Sequence, residues 1–237
     1  MFRITAVHLG SFSAQTPEGD ELYTSLLAFV PDTKRERLGR FRHRQDALRS
    51  LTGELLARTM VSEALGIPRS RVVFASSSYG KPYLPDFPSF HFNVSHAGSW
   101  VVCAAGSSPV GADVEREAPF DDSLPAAVLT AEELDRLKSA GETERQAMFF
   151  RYWTAKESFV KHLGTGLSTD PLSFTVENPD GESDVLWNGH RQPCRIYRWM
   201  LGSGHPLAVC SAEAPAPGAL QCEEADVWLA GYRISAS

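Results

Sequence analysis

Pro109-Val110-Gly111-Ala112-Asp113-Val114-Glu115 sets two carboxylates two positions apart. It follows an apolar run, Trp100-Val101-Val102-Cys103-Ala104-Ala105, and a Gly106-Ser107-Ser108-Pro109 turn signal. On a strand, residues i and i+2 share a face. Asp113 and Glu115 therefore aim their side chains together, while Val114 aims at the core. Two like charges held that close repel unless a cation lies between them. Carboxylate oxygens are hard ligands, and the motif contains no His or Cys. Magnesium, or manganese in its place, fits better than zinc. The plain alternative is a solvated edge strand with ordinary acids.

A second stretch, AMFFRYWTAKESFVKHLG (residues 147–164), bears on that choice. Wound as a helix at about 100° per residue, it collects Phe149, Tyr152, Phe159, Val160 and Leu163 on one apolar arc around Trp153. Lys156 falls inside the arc. It must snorkel or meet an anion, because burying an unpaired ammonium is costly. Glu157 and Lys161 lie on the rim, four residues apart. A solvated i,i+4 ion pair explains those two and leaves Lys156 without a reason. A site rich in phosphate and metal explains all three.

The rest of the chain reads as an ordinary globular protein. It has 237 residues, 43% hydrophobic and 22% charged, enough for one large domain or two small lobes. A net charge of −6 argues against nucleic acid as the main partner, so cations for an anionic substrate must be gathered locally. Cys103, Cys194, Cys210 and Cys222 show no paired spacing, and Cys103 and Cys210 sit in apolar runs as small core residues. That usage suits a reduced, cytoplasmic protein. The start, MFRITAVHLG, lacks the pattern of a signal peptide, and no apolar stretch approaches membrane-spanning length.

Residues 33–66 are expected as one long helical region ended by Gly66 and Pro68, and about 144–163 as a second long helix ended by Gly164. Strands are expected at FRITAVHL, RVVFASS, FHFNVSH, SWVVCAAG, VGADVE, SFTVE, CRIYRWM and HPLAVCSAE. Thr130 and Glu133 form a capping-box pattern for a short helix. Each half offers a long helix ending in Leu-Gly and then a hairpin. This implies an α+β fold of two similar, pseudo-duplicated lobes, 1–106 and 107–237, with a seam near Gly106 to Pro109. The alternative is that helices followed by hairpins are simply common. The Ala-, Pro- and Glu-rich tail is expected to be loosely held.

The VGADVE strand followed by the WTAKESFVKHLGTGLS helix resembles the signature pair of the 4′-phosphopantetheinyl transferase superfamily. Residues 34–58, YGKPYLPD (79–86), FHFNVSHAGSWVV (90–102) and 149–168 are similar to its long, surfactin-synthetase-activating type. One departure is Ala112, where the family usually has Ile or Val. The resemblance implies transfer of the phosphopantetheine arm of coenzyme A to a serine of an apo acyl or peptidyl carrier protein, with release of adenosine 3′,5′-bisphosphate. It implies magnesium on Asp113, Glu115 and Glu157, with Lys156 and Lys161 on the pyrophosphate. Glu157, or a water it orients, becomes the base. It also implies an active site in the cleft between the two lobes, with coenzyme A contacts from Lys34, Arg37, Arg49, Ser50, Lys81, Pro82, Ser95 and His96. Taken singly, most of these would be solvated charges or a structural histidine.

Two other readings stay open: a different magnesium-dependent transfer from a nucleotide diphosphate ester, and an inactive coenzyme A- or carrier-binding protein. Having two lobes in one chain suggests a monomer, while the net charge and the lack of a long apolar stretch suggest no nucleic-acid or membrane partner. Phe120, Leu124, Val128 and Leu129, in the acidic segment after Glu115, either receive the carrier by apolar contact or anchor that segment to its own core.

Overall fold

The computed structural model describes residues 1–10, 12 and 16–235. In chain order its elements begin with β1 (Phe2–His8), α1 (Pro17–Leu26), α2 (Asp32–Gly39) and α3 (Arg44–Leu65). Five strands follow: β2 (Ala75–Ser76), β3 (Pro82–Tyr83), β4 (His91–Ala97), β5 (Trp100–Gly106) and β6 (Val110–Val114). Helices α4 (Ser123–Val128), α5 (Ala131–Ser139) and α6 (Glu142–Leu163) precede β7 (Phe174–Val176), β8 (Ser183–Trp187), β9 (His190–Met200) and β10 (Pro206–Ser211). The chain ends in β11 (Pro215–Glu224) and α7 (Ala225–Ser235).

Among the described residues the strands form two main sheets, ordered β11-β1-β5-β4 and β6-β10-β9-β8-β7. The fold is α+β with two lobes, and each lobe carries a 22-residue helix, α3 or α6. Both helices stop at a glycine in the left-handed region, Gly66 and Gly164, which costs glycine nothing sterically. The expected single helix over 33–66 is broken at residues 40–43, where the chain turns before α3.

Period-2 alternation on both sheets explains how the lobes share material. In the first sheet Val7, Val101, Cys103 and Ala105 pack toward α3 and α7. The opposite face, with Ile4, Ala6, Val102 and Ala104, meets Val110, Ala112, Val114, Leu207 and Val209 of the second sheet in a common core. That is why β5 is buried on both faces and reads as an unbroken apolar run. Cys194, Ile196, Ala208 and Cys210 form the other face of the second sheet, under α6.

The C-terminal segment corrects an expectation. β11 pairs in parallel with β1 of the first sheet, Ile4 opposite Leu220 and Ala6 opposite Cys222. Leu229 and Tyr232 of α7 are buried in the first lobe's core. Far from being a loose tail of the second lobe, this segment returns to the first and covers what would be an open sheet edge. Its Ala- and Pro-rich composition hid a strand whose partner lies more than 200 positions away.

The edges β4 and β6 lie side by side but are joined by side chains. Asn93 Oδ1 accepts from the Ala112 N–H at 2.8 Å, and Ser95 Oγ from the Val114 N–H at 3.3 Å. Their spacing of two puts both groups on the seam.

Gly111 sets how closely α6 crosses β6. A Cβ there would stand 2.1 Å from the Ser158 carbonyl oxygen, 2.2 Å from the His162 nitrogen and 2.7 Å from the Lys161 carbonyl carbon. All three are backbone atoms and none can swing aside. Gly111→Ala is therefore expected to cost about 3 kcal/mol or more, read as a lowered midpoint in denaturant. A midpoint within about 0.5 kcal/mol of the parent would show that α6 can shift away freely.

Candidate active site

Gly111, Asp113 and Glu115 face α6, while Val110, Ala112 and Val114 face the shared core. Glu157 and Lys161, one turn apart on α6, meet them. Asp113 is 3% exposed, and its Oδ1 accepts from Lys161 Nζ at 2.6 Å and from Ser95 Oγ at 3.0 Å. Its Oδ2 is buried without a hydrogen-bond partner. Lys161 also donates to Ser95 Oγ at 3.1 Å, so it serves the seam rather than a solvated pair with Glu157.

Crowding marks the electrostatics of these acids. Burial first, then the Asp113 charge, raises the Glu115 carboxyl to about 7, against weaker lowering by the Trp153 indole and Lys161. Glu157 is raised by burial and again by Asp113. Asp113 is itself raised by burial, against the pull of Lys161 and Ser95. The Asp113 charge raises both glutamates, and with its unpartnered buried oxygen the three acids offer hard oxygen donors of the kind a divalent cation prefers.

A groove of about 1270 Å³ opens in the first lobe beside this cluster. Lys34, Arg37, Arg49, Ser50, Pro82 and His96 line it, joined by Arg58 of α3 and Tyr232 of α7. Lys34 is positioned by Ser50 at 3.2 Å and Glu54 at 3.6 Å, and Arg49 by Asp46 and the Gly98 carbonyl at 2.9 Å. Burial lowers the Lys34 amine. His96 is held below its ordinary value by burial and then by the Arg49 guanidinium. It exerts a minor pull on Asp113, so the groove adjoins the acid cluster. Ser95 and His96, neighbours on β4, point to opposite sides, one to the seam and one to the groove.

Two of the expected lysines lie elsewhere. Lys156 is 1% exposed and pairs with Glu133 Oε2 at 2.8 Å. It donates to the carbonyls of Pro171 at 2.7 Å and Phe174 at 2.8 Å, and sits over the Phe174 ring. A buried lysine needs an anion, and the anion here belongs to the protein. Lys81 Nζ is spent on the carbonyls of Val110, Lys161 and His162, at 3.0, 2.6 and 3.1 Å, while the neighbouring Gly80 and Pro82 line the groove. An ammonium at the carbonyl end of α6 is well placed against the helix dipole. It ties the 77–83 loop to the second lobe.

Sequence reasoning missed Asn93, Glu133's role as counter-ion, Arg58 and Tyr232. Asn93 stands at the same two-residue spacing from Ser95 that singled out Asp113 and Glu115. Glu133 does cap α5 as expected, accepting from the Thr130 N–H at 2.8 Å, but it also accepts from Val176 N–H at 2.7 Å. Nothing local announces those added partners.

An acid cluster at the seam of two α+β lobes heads a groove lined by lysine and arginine. Residues 15–108 match the family model for the N-terminal part of 4′-phosphopantetheinyl transferases, and residues 109–210 that of the 4′-phosphopantetheinyl transferase superfamily. The 4′-phosphopantetheinyl transferase ffp of Bacillus subtilis is 37% identical over 85% of this chain and 90% of its own length. Sfp of Bacillus subtilis strain 168 is 35% identical over the same shares. L-aminoadipate-semialdehyde dehydrogenase-phosphopantetheinyl transferase of Rattus norvegicus is 31% identical over 77% of this chain and 67% of its own length. Among solved structures, Thermotoga maritima holo-[acyl-carrier-protein] synthase is a partial likeness, with a TM-score of 0.34 and 19% identity over 43% of this chain and 61% of that one. The chain belongs to the 4′-phosphopantetheinyl transferase superfamily. Within it, this is an enzyme of the Sfp-like type. No helix among the described residues is long and apolar enough to cross a membrane.

Proposed function

We propose that this enzyme moves the phosphopantetheine arm of coenzyme A onto a serine of an apo acyl or peptidyl carrier protein and releases adenosine 3′,5′-bisphosphate. The observation that carries the reading is the unpartnered, buried Asp113 Oδ2 among three carboxyls, at the head of a groove lined by lysine and arginine. Asp113, Glu115 and Glu157 would hold magnesium, or manganese in its place, which neutralises pyrophosphate charge when bound.

The carrier serine oxygen attacks the pyrophosphate phosphorus nearest the arm, and the bond from that phosphorus to the bridging oxygen breaks. Glu157, or a water it orients, takes the serine proton. Its raised carboxyl brings its proton affinity nearer the working pH. Lys161, beside Asp113, faces the charge that grows on the leaving phosphate. Lys34, Arg37, Arg49, Ser50 and His96 hold the nucleotide end, with Arg58 nearby. We place this chemistry in the cytoplasm, performed by a monomer. Incubating an apo carrier with the enzyme, coenzyme A and magnesium should add the mass of the arm to the carrier. Binding of coenzyme A without that gain would favour an inactive binder, and neither result would favour another transfer.

His96 is assigned to the 3′-phosphate of coenzyme A. His96→Ala is expected to weaken coenzyme A binding about tenfold or more, the loss of one hydrogen bond to a charged group. It should leave 3′-dephospho-coenzyme A nearly unaffected. Equal losses for the two ligands in calorimetry would remove the assignment.

For the carrier, exposure favours one of the four apolar candidates. Phe120 packs 4.4 Å from Phe149, and Val128 and Leu129 are buried, so these three anchor their own segment. Leu124 is 40% exposed, and Leu172 on the adjoining turn is exposed too. Leu124→Asp is expected to raise the carrier's KM roughly five- to tenfold without changing coenzyme A affinity. An unchanged KM in a folded variant would move the docking face elsewhere.

A further inference from the structure

Away from the carboxylate cluster, a ring nitrogen of His162 and the Sγ atoms of Cys194 and Cys210 lie within 4.8 Å of one another. They come from three elements: the last turn of α6, β9 and β10. The mechanism above uses none of them. Antiparallel register explains the thiol pair. Cys210 stands opposite Ile196, so Cys194 is its diagonal neighbour, and both side chains point under α6.

Three details distinguish this group from ordinary core packing. His162 Nδ1 is buried with no hydrogen-bond partner. The same ring is turned to the backbone carbonyls of Pro109 and Cys210. A metal-binding imidazole is commonly oriented by backbone carbonyls near its ring. Burial holds this histidine to about 4, so it is neutral and its lone pair is available. Burial and the adjacent Cys194 keep Cys210 a neutral thiol, against a weaker pull from the Lys81 ammonium, so an ion must displace its proton.

We propose that His162, Cys194 and Cys210 form a second metal site, for a thiophilic ion of the zinc(II) or copper(I) class. Two sulfurs and one imidazole nitrogen are the donors such ions prefer, and they are unlike the oxygen set on β6 and α6. With metal–sulfur bonds of about 2.3 Å, two thiolates stand roughly 4 Å apart, so the group closes on an ion with movements of about 1 Å. The thiols release their protons to solvent on binding. His162 lines a cavity of about 270 Å³ with Lys81, His91 and Pro109, which offers a path inward. A disulfide suits the pair less well. Diagonal neighbours on antiparallel strands have Cα atoms roughly 7–8 Å apart, beyond ordinary disulfide reach. Because the His162 carbonyl accepts from Lys81, an ion here would stiffen the contact between the 77–83 loop and α6.

The test is a cadmium titration of reduced protein carrying Cys222→Ser, which removes the exposed thiol. Cadmium bound by carboxylates gives no thiolate charge-transfer band, so the β6 cluster does not interfere. One equivalent should bind with such a band, the band should vanish in Cys194→Ala, and His162→Gln should weaken binding about tenfold or more. Circular dichroism verifies each fold, and if Cys194→Ala fails to fold, His162→Gln decides alone. No band in the parent, or undiminished affinity in folded His162→Gln, would overturn the site. A loss of two hydrogen masses from unreduced protein, with no cadmium uptake before reduction, would replace it with a disulfide. None of these readings depends on transfer activity.

Discussion

An Asp113→Asn enzyme is expected to transfer at least about a thousandfold more slowly, while its melting temperature does not fall by more than about 2 °C. The two effects part company because the acid cluster is arranged for a ligand and against the apo fold. Burial raises the Asp113 carboxyl, so its charge is disfavoured in the folded state. Asparagine keeps an acceptor for Ser95 and removes that charge from beside Glu115 and Glu157. The lost pair with Lys161 is offset, because that ammonium is 28% exposed and regains water. The same logic fixes a pH sign for the apo protein. Glu115 is raised from 4.5 to about 7, so the folded state binds more protons than the unfolded one in between. Its contribution to stability is present at low pH and is lost as pH rises through about 7. Melting curves with and without magnesium, beside carrier modification measured by mass, test both halves. Transfer within tenfold of the parent would remove Asp113 from the metal set.

The second large effect falls on stability. Lys156→Met is expected to lower it by about 3–5 kcal/mol, roughly 10 °C in melting temperature, because Glu133 is left charged at 0% exposure. Three elements feel the loss, since Glu133 caps α5 and binds β7, while Lys156 holds the 171–173 turn. Adding Glu133→Gln should recover part of the difference, because neither partner then carries an unpaired charge. Folded Lys156→Met, assayed at low temperature, should bind coenzyme A as tightly as the parent. An unchanged melting temperature with weakened coenzyme A binding would return Lys156 to the pyrophosphate.

Periodicity made much of this molecule legible. The alternation in residues 109–115 placed Asp113 and Glu115 on one face and Val114 on the other, because a strand's side chains have a period of two whatever surrounds it. The arc on residues 147–164 predicted part of the buried surface of α6, Phe149, Tyr152, Phe159 and Val160, but Thr154, Ala155 and Ser158 on the other side are buried too, under β6, and Trp153 is only half-buried. The Leu-Gly endings marked the stops of α3 and α6, since glycine alone enters the left-handed region without cost. The argument that Lys156 must snorkel or find an anion was also sound, since it rested only on the cost of burying charge.

What that anion would be was a tertiary matter. Position 133 shows a helix cap in one dimension, and only the packing of α5 against α6 brings the capping oxygen, Oε2, to Lys156 as well. The surroundings of Lys81 were hidden for the same reason: its ammonium meets a carbonyl of β6 and two at the end of a helix some 80 positions later. β11 escaped notice because a strand's identity lies in its partner, and β1 is at the other end of the chain. The sequence by itself determined the periodic faces, the helix stops and the inventory of acids and bases, all of which depend on local backbone geometry. The tertiary structure alone decided which charge meets which, because burial and counter-ions are properties of segments that are distant along the chain and adjacent in space.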